Sequence, residues 1–197
     1  MKKGCLIAAI AVIAVVVLVG VWVAGLRNSF VTQEENVASA WSQVENVYQR
    51  RADLIPNLVA TVKGYATHEQ ETLEGVVNAR ARATQITVDP DKIDAESLNR
   101  FQEAQGELGA ALGRLLAVSE NYPELKANEQ FLQLQAQLEG TENRIAVERK
   151  KFNETVRAYN VSVRKFPGNI AAMIFGFDTK PYFEAAAGAE QAPKVEF

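Results

Sequence analysis

Cysteine and histidine are nearly absent from this sequence: Cys5 and His68 are the single examples of each. A structural zinc site needs about four Cys or His ligands, so this chain cannot build one. No disulfide can form within the chain either, and the redox compartment stays open. Helical bundles can house di-iron sites on Glu-x-x-His motifs, but the residue three before His68 is Tyr65. His68 itself lies in the polar run Thr67-His68-Glu69-Gln70-Glu71 and reads as a solvated surface residue. A basic excess is also missing. With Lys and Arg numbering 21 against 24 Asp and Glu, the net charge is −3, which gives no reason to expect nucleic acid. The same balance argues against electrostatic grip on anionic lipid as the main means of attachment. There is no phosphate-cradling glycine loop and no serine elbow. No catalytic residue, metal or cofactor is therefore expected, and the chain does not read as an enzyme.

What is present begins with Gly4 to Leu26, GCLIAAIAVIAVVVLVGVWVAGL, a run without a charged residue. Roughly 20 apolar residues cross a hydrocarbon core of about 30 Å, so the run is long enough to span. It exceeds the roughly 7–15 apolar residues of a signal peptide, and an uncleaved anchor is the expectation. Lys2 and Lys3 precede the span and only Arg27 follows closely, with Glu34 and Glu35 beyond. The positive-inside rule then leaves the N-terminus in the cytoplasm and the rest of the chain outside.

After the span the pattern is helical throughout. Val37, Trp41, Val44 and Tyr48 form an amphipathic stripe, in a helix either restarted after Gly25 or continuous with the anchor. Pro56 is expected to kink or restart it, because proline removes a donor and crowds the carbonyl four residues back. Leu58, Val62, Tyr65, Glu69, Leu73, Val76, Arg80 and Ala83 continue the stripe, with Glu69 and Arg80 at its edge or in a buried polar network. Thr84 to Asp94 reads as a loop, followed by a helix from about Ala95 to Ser119. Gly106, Gly109 and Gly113 lie along that helix and suggest close approach of a neighbour, with tolerance on an exposed face as the alternative. The longest stripe, from Phe131 to Phe166, implies a rod of about 60 Å at 1.5 Å per residue. It needs partner helices along its length, and the earlier segments supply them. The fold class is all-α: an N-terminal transmembrane helix followed by an elongated antiparallel helical bundle with long helices.

Pro167-Gly168-Asn169 stops the rod, and Ile170 to Phe177, IAAMIFGF, is an apolar patch too short to span. Packing on the bundle end is the expectation, with insertion at the membrane interface as the alternative. The division is thus an anchor over 1–27, a bundle over 28–168, an apolar segment over 169–184 and a flexible tail over 185–197. The basic residues Arg144, Arg149, Lys150, Lys151, Arg157, Arg164 and Lys165 alternate with Glu142, Glu148 and Glu154. Ion pairs on a solvated helix explain them, and a groove for an acidic partner or lipid headgroups is the sharper reading. Arg149, Lys150, Arg157, Arg164 and Lys165, with Ile170, Met173, Phe175 and Phe177, form the candidate partner or lipid surface. Asn153 and Asn160, seven apart, share a helix face and are expected to set helix register across the bundle.

Several motifs point further. Ala40-Trp41-Ser42-Gln43-Val44, Arg50-Arg51-Ala52-Asp53-Leu54-Ile55-Pro56-Asn57-Leu58-Val59 and Val62-Lys63-Gly64-Tyr65 closely resemble the LemA family. So do Tyr122-Pro123-Glu124-Leu125-Lys126-Ala127-Asn128, Leu138 to Ala146, Tyr159-Asn160, Phe166-Pro167 and Phe175-Gly176-Phe177. Phe152-Asn153 stands where the family often has Tyr-Asn. The resemblance implies an N-terminally anchored elongated bundle in a bacterial membrane, with no known enzymatic activity. It also implies company: the family has been associated with membrane building and with membrane stress proteases. Family descriptions place the domain in the cytoplasm; the charges of this chain place it outside. The expected role is a scaffold or adaptor in the cytoplasmic (inner) membrane, crossing once. Its partners are the bilayer through residues 4–26 and an envelope or membrane protein, a membrane protease among the candidates. No nucleic acid is expected, and homo-oligomerisation is left open. The alternative is a membrane-shaping or lipid-binding protein.

Overall fold

The computed structural model describes residues 2–184; the expected flexible tail over 185–197 lies outside the described residues. Among these there are six helices and no strand: α1 (Lys2–Lys63), α2 (Gln70–Gln85), α3 (Ala95–Ser119), α4 (Pro123–Lys126), α5 (Glu129–Arg164) and α6 (Gly168–Phe175). The longest is α1 rather than α5. It runs unbroken through Gly25, so the apolar run and the first helix of the bundle are one element of 62 residues, about 93 Å long. Val12, Ile13, Val16, Leu18 and Val21 are all exposed, and burial begins at Phe30. One helix in the described chain is long and apolar enough to cross a membrane, and it is this one.

Pro56 does not break α1. The carbonyl that loses its partner to a proline at position 56 is that of Ala52. Arg80 supplies the missing donor, its Nε lying 2.7 Å from Ala52 O. The charge on the second stripe thus belongs to a polar contact between α1 and α2. The break comes later, at Gly64 to Glu69, where Gly64 N and Tyr65 N donate back to Thr61 O and Val62 O and the chain reverses. Ala66 is buried in this turn, and His68 is exposed on it rather than on a helix.

α3 matches the expected span, and its start has a physical cause. Asp94 Oδ1 accepts from Ser97 N at 2.7 Å while Ser97 Oγ reaches back to Asp94 N, a capping box. These bonds hold the Asp94 carboxyl below the usual range. Asn128 caps α5, accepting from Phe131 N at 2.9 Å. The three α3 glycines face open space: a Cβ at Gly106, Gly109 or Gly113 would meet nothing within 4 Å. The expected close approach of a neighbouring helix is absent there.

α5 pairs antiparallel with α1, as Gln33 against Ser162, Trp41 against Phe152 and Arg51 against Glu142 show. The core falls into two clusters along this pair. The far cluster joins Leu54–Val62 of α1 to Leu73–Ala83 of α2, Ala104–Leu115 of α3, Leu125 and Phe131–Leu138 of α5. The near cluster, toward the anchor, joins Phe30–Tyr48 of α1 to Ile145–Val163 of α5, with Leu98, Phe101, Val88, Ile93, Ala171, Ala172 and Phe183. Between them sits Arg51, only 3% exposed. Its guanidinium donates to Glu142 Oε1 at 2.7 Å and to both the backbone oxygen and Oε1 of Gln105, whose Nε2 reaches Ala83 O. A single side chain thereby ties α1, α3 and α5 where the two cores meet, and Gln105 extends the tie to α2.

Candidate interaction surface beside the anchor

Because α5 runs back along α1, its C-terminal end returns to the place where α1 leaves the apolar run. α6 follows within three residues, after a cis Phe166–Pro167 bond. Gly168 lets it dock: a Cβ there would sit 2.5 Å from Ser162 O and 3.4 Å from Phe30 Cζ. Ala171 and Ala172 complete the docked face, and Phe177 packs on Phe30 with ring centroids 5.3 Å apart. The other face is apolar and uncovered. Ile170, Met173 and Ile174 are 52%, 84% and 67% exposed, and Phe166 beside them is 74% exposed. One face of the patch is thus docked on the bundle and the other is bare. Phe175 lies at the boundary, with the Arg27 guanidinium 5.9 Å from its ring centroid.

Gly176, at φ +74°, ends α6 in the left-handed conformation that glycine adopts without strain. From here the chain leaves as an extended strap, residues 177–184, that climbs α5 away from the anchor. Two asparagines hold it. Asn160 Nδ2 donates to Lys180 O at 2.9 Å while Lys180 N donates to Asn160 Oδ1 at 2.9 Å. Asn153 does the same one step on, with Phe183 O at 3.0 Å and Phe183 N at 2.8 Å. A carboxamide carries a donor and an acceptor side by side, as the N–H and C=O of one residue in an extended strand do, so each asparagine acts as a short piece of neighbouring strand. The spacing also matches. Seven helical residues rise about 10 Å, and three residues of polyproline II rise about 9 Å and return to the same side. The expectation that these asparagines set register between helices is therefore corrected: both serve the strap, whose position nothing local to α5 announces.

Phe183 is the strap's anchor. It is 5% exposed, stacked on Trp41 at 5.8 Å and edge-on to Phe152 at 5.3 Å. Arg149 closes over it, with Cζ 4.8 Å from the ring centroid and Nη2 donating to Glu184 O at 2.9 Å. Lys180 is buried at 8% exposure, paired with Glu34 at 2.8 Å and donating to Asp91 O at 3.1 Å. Tyr159 Oη donates to Asp178 O at 2.8 Å. Burial, with the negative charges of Glu34 and Asp178 nearby, pushes the Tyr159 phenol up to about 12, so it stays a donor.

The predicted surface residues thus divide. Arg149 is a strap contact rather than a free cation. Lys150 is paired with Glu154 at 3.9 Å on its own helix, the solvated-face arrangement. Arg157, Arg164 and Lys165 are exposed, the last two at the anchor end of α5. Ile170 and Met173 lie on the uncovered face of α6, Phe175 at its margin and Phe177 against the bundle. Sequence reasoning missed Lys180 and Phe183, which carry no local pattern in a segment of mixed composition. Among the described residues no group of three or more His, Cys, Asp or Glu could hold a metal ion.

The family model described as LemA family matches residues 40–197, which takes in most of the bundle, α6 and the strap. The chain belongs to the LemA family. It is 31% identical over 179 residues to magnetosome protein MamQ of Magnetospirillum gryphiswaldense, covering 82% of this chain and 66% of the relative. Magnetosome protein MamQ 1 of Paramagnetospirillum magneticum is 29% identical over 174 residues, 80% of this chain and 64% of the relative. Protein LemA of Metamycoplasma hominis is 22% identical over 162 residues, covering 82% and 70%. The chain thus spans about two thirds of the length of the magnetosome relatives. It is a LemA-family helical bundle that continues directly from a candidate transmembrane helix.

Proposed function

We propose that the protein is a membrane-anchored, non-catalytic scaffold that holds an interaction surface at a set height above the bilayer. The observation that carries this is the unbroken helix α1, in which anchor and bundle are one element. A flexible linker would let the bundle tumble, whereas a continuous helix braced by α5 transmits the direction of the span to the rod. The part of α1 beyond residue 27 extends about 54 Å. The partner is an envelope or membrane protein, with membrane proteases in the candidate class through the family resemblance. The charge bias places the bundle on the extracytoplasmic side of a single-pass inner-membrane protein.

Photo-crosslinking from exposed α5 positions in native membranes, read by mass spectrometry, tests the scaffold. A specific envelope protein is the expected product, and recovery of none overturns the reading. An impermeant thiol probe on an engineered surface cysteine of α5, in a Cys5→Ala chain, should label intact cells. Absence of labelling reverses the topology.

A second reading is favoured by the uncovered face of α6. Phe30, on which α6 docks, lies one helical turn beyond Leu26, about 6 Å along the axis. Ile170, Met173 and Ile174 would then reach the interface of the bilayer that α1 enters, with Arg27, Arg164 and Lys165 at headgroup level. A polarity-sensitive fluorophore on Met173→Cys in the full chain in vesicles should emit as from an apolar medium and be quenched by lipid nitroxides. Emission as from water removes this reading.

A further inference from the structure

The strap occupies its groove in the manner of a bound peptide. Both asparagine pairs address backbone atoms, Phe183 is the deep apolar side chain, and the buried Lys180 supplies an ion pair to Glu34. The groove therefore recognises an extended backbone with a cation and, three residues on, an aromatic ring. Nothing in that recognition depends on the strap being joined to the same chain. The join itself is narrow: Gly176, in the left-handed conformation, is where the chain leaves α6. The far core contains no strap residue, so that half of the bundle does not need the strap to form. A second copy carries the identical strap, and anchoring on α1 sets copies side by side at the same height. Once Phe177 leaves Phe30 and Asp178 O leaves Tyr159, residues 176–179 extended reach about 13 Å, roughly one helix diameter, so the segment from Lys180 onward can cross to a neighbour whose α5 lies against its own.

We propose that the Asn153–Asn160 groove is an exchangeable peptide site, and that in the membrane it takes the strap of a neighbouring copy from Lys180 onward. This rests on a membrane-anchored state but not on any envelope partner. Reciprocal exchange links two copies through contacts that each groove already makes with Lys180 and Phe183. Within one chain the strap competes at an effective concentration in the millimolar range, so free peptide binds the intact protein weakly.

Two measurements test it on the full chain in nanodiscs or vesicles. A fluorescent peptide of residues 177–184, FDTKPYFE, is titrated against wild type and against a chain whose own strap is weakened by Lys180→Ala and Phe183→Ala. The weakened chain should bind at least tenfold more tightly, and adding Asn153→Ala and Asn160→Ala should abolish binding. Equal binding by wild type and weakened chains, or binding that survives loss of both asparagines, overturns the site. The second measurement leaves groove and strap contacts in place, so it decides even where the weakened chain fails to fold. Light- and heavy-isotope chains carrying a photo-crosslinking benzoylphenylalanine in place of the exposed Tyr182 are mixed in one vesicle population. Crosslinks from strap to α5 that join light to heavy chains are expected. Crosslinks confined to one isotope overturn the exchange. Loss of the envelope partner would leave both results unchanged, which separates this proposal from the scaffold reading.

Discussion

The two halves of the rod are closed in different ways. Far from the anchor, α1 and α5 are joined by α2 and α3, and the core is Leu, Ile, Val and Ala with Phe131 as its one buried aromatic residue. Near the anchor the second helical pair contributes little more than Leu98 and Phe101, and the core fills instead with Phe30, Trp41, Tyr48, Phe152, Tyr159 and Phe183. The difference follows from helix length. α5 has 36 residues, while α2 has 16 and α3 has 25, so the α2–α3 hairpin cannot cover the whole pair. Two helices alone leave open grooves, and interiors pack as densely as organic crystals. Large rings and an extended strap supply the volume that two more helices supply elsewhere. A helix-closed half answers to its own periodicity; a strap-closed half depends on a distant segment arriving.

The largest effect should come from removing the strap's anchor. Phe183→Ala deletes a buried ring and should cost about 3–5 kcal/mol. Hydrogen exchange read by mass spectrometry should show the loss in Phe30–Tyr48 and Ile145–Val163, with α2 protected. Equal loss in α2 would mean that the halves unfold as one and would break the comparison. The seam comes next. Arg51→Ala removes charge-assisted bonds to Glu142 and Gln105 and should cost about 2–3 kcal/mol in urea denaturation. Glu142→Gln should stay within about 1 kcal/mol, because that carboxylate is half exposed and solvent screens the pair. A smaller effect belongs to the far half. Arg80→Ala leaves Ala52 O without its donor and should cost about 1–2 kcal/mol. In a Pro56→Ala chain, where the backbone donor is restored, the same change should cost less than half as much. The smallest has the opposite sign. Alanine at Gly106, Gly109 or Gly113 should stabilise by up to about 1 kcal/mol each, since nothing opposes a Cβ there. Destabilisation in the thermal midpoint would reveal a neighbour covering that face of α3.

Much of the far half is legible from residues close together. The ends of α3 follow from Asp89-Pro90-Asp91, the Asp94–Ser97 pair and Asn121-Tyr122-Pro123, all local signals. The stripe through Leu58, Val62, Leu73 and Val76 correctly marks a buried face, yet it runs across a chain reversal at Gly64–Glu69. Two antiparallel helices whose stripes stay in phase look the same as one continuous helix, because periodicity records which face is buried and not the direction of the axis. Pro56 misleads for a related reason: its cost is local, and its remedy, Arg80, lies 24 positions along and on another helix. Asn153 and Asn160 were visible as polar residues on a buried face. Their partners, 20 to 30 residues away in an irregular segment, were not.

The amino-acid sequence by itself determined the apolar run, the helical stripes, the ends of α3 and the shortage of Cys and His for a structural zinc site. These rest on composition and on contacts within a few residues, which any chain conformation must respect. Only the tertiary structure decided that anchor and bundle are one helix, that Arg51 is the seam between two cores, that α6 docks by Gly168 and leaves Ile170, Met173 and Ile174 bare, and that the strap completes the near half. Each of these depends on which surfaces meet. A residue's own neighbours in sequence can state that it must be satisfied, but only packing settles what satisfies it.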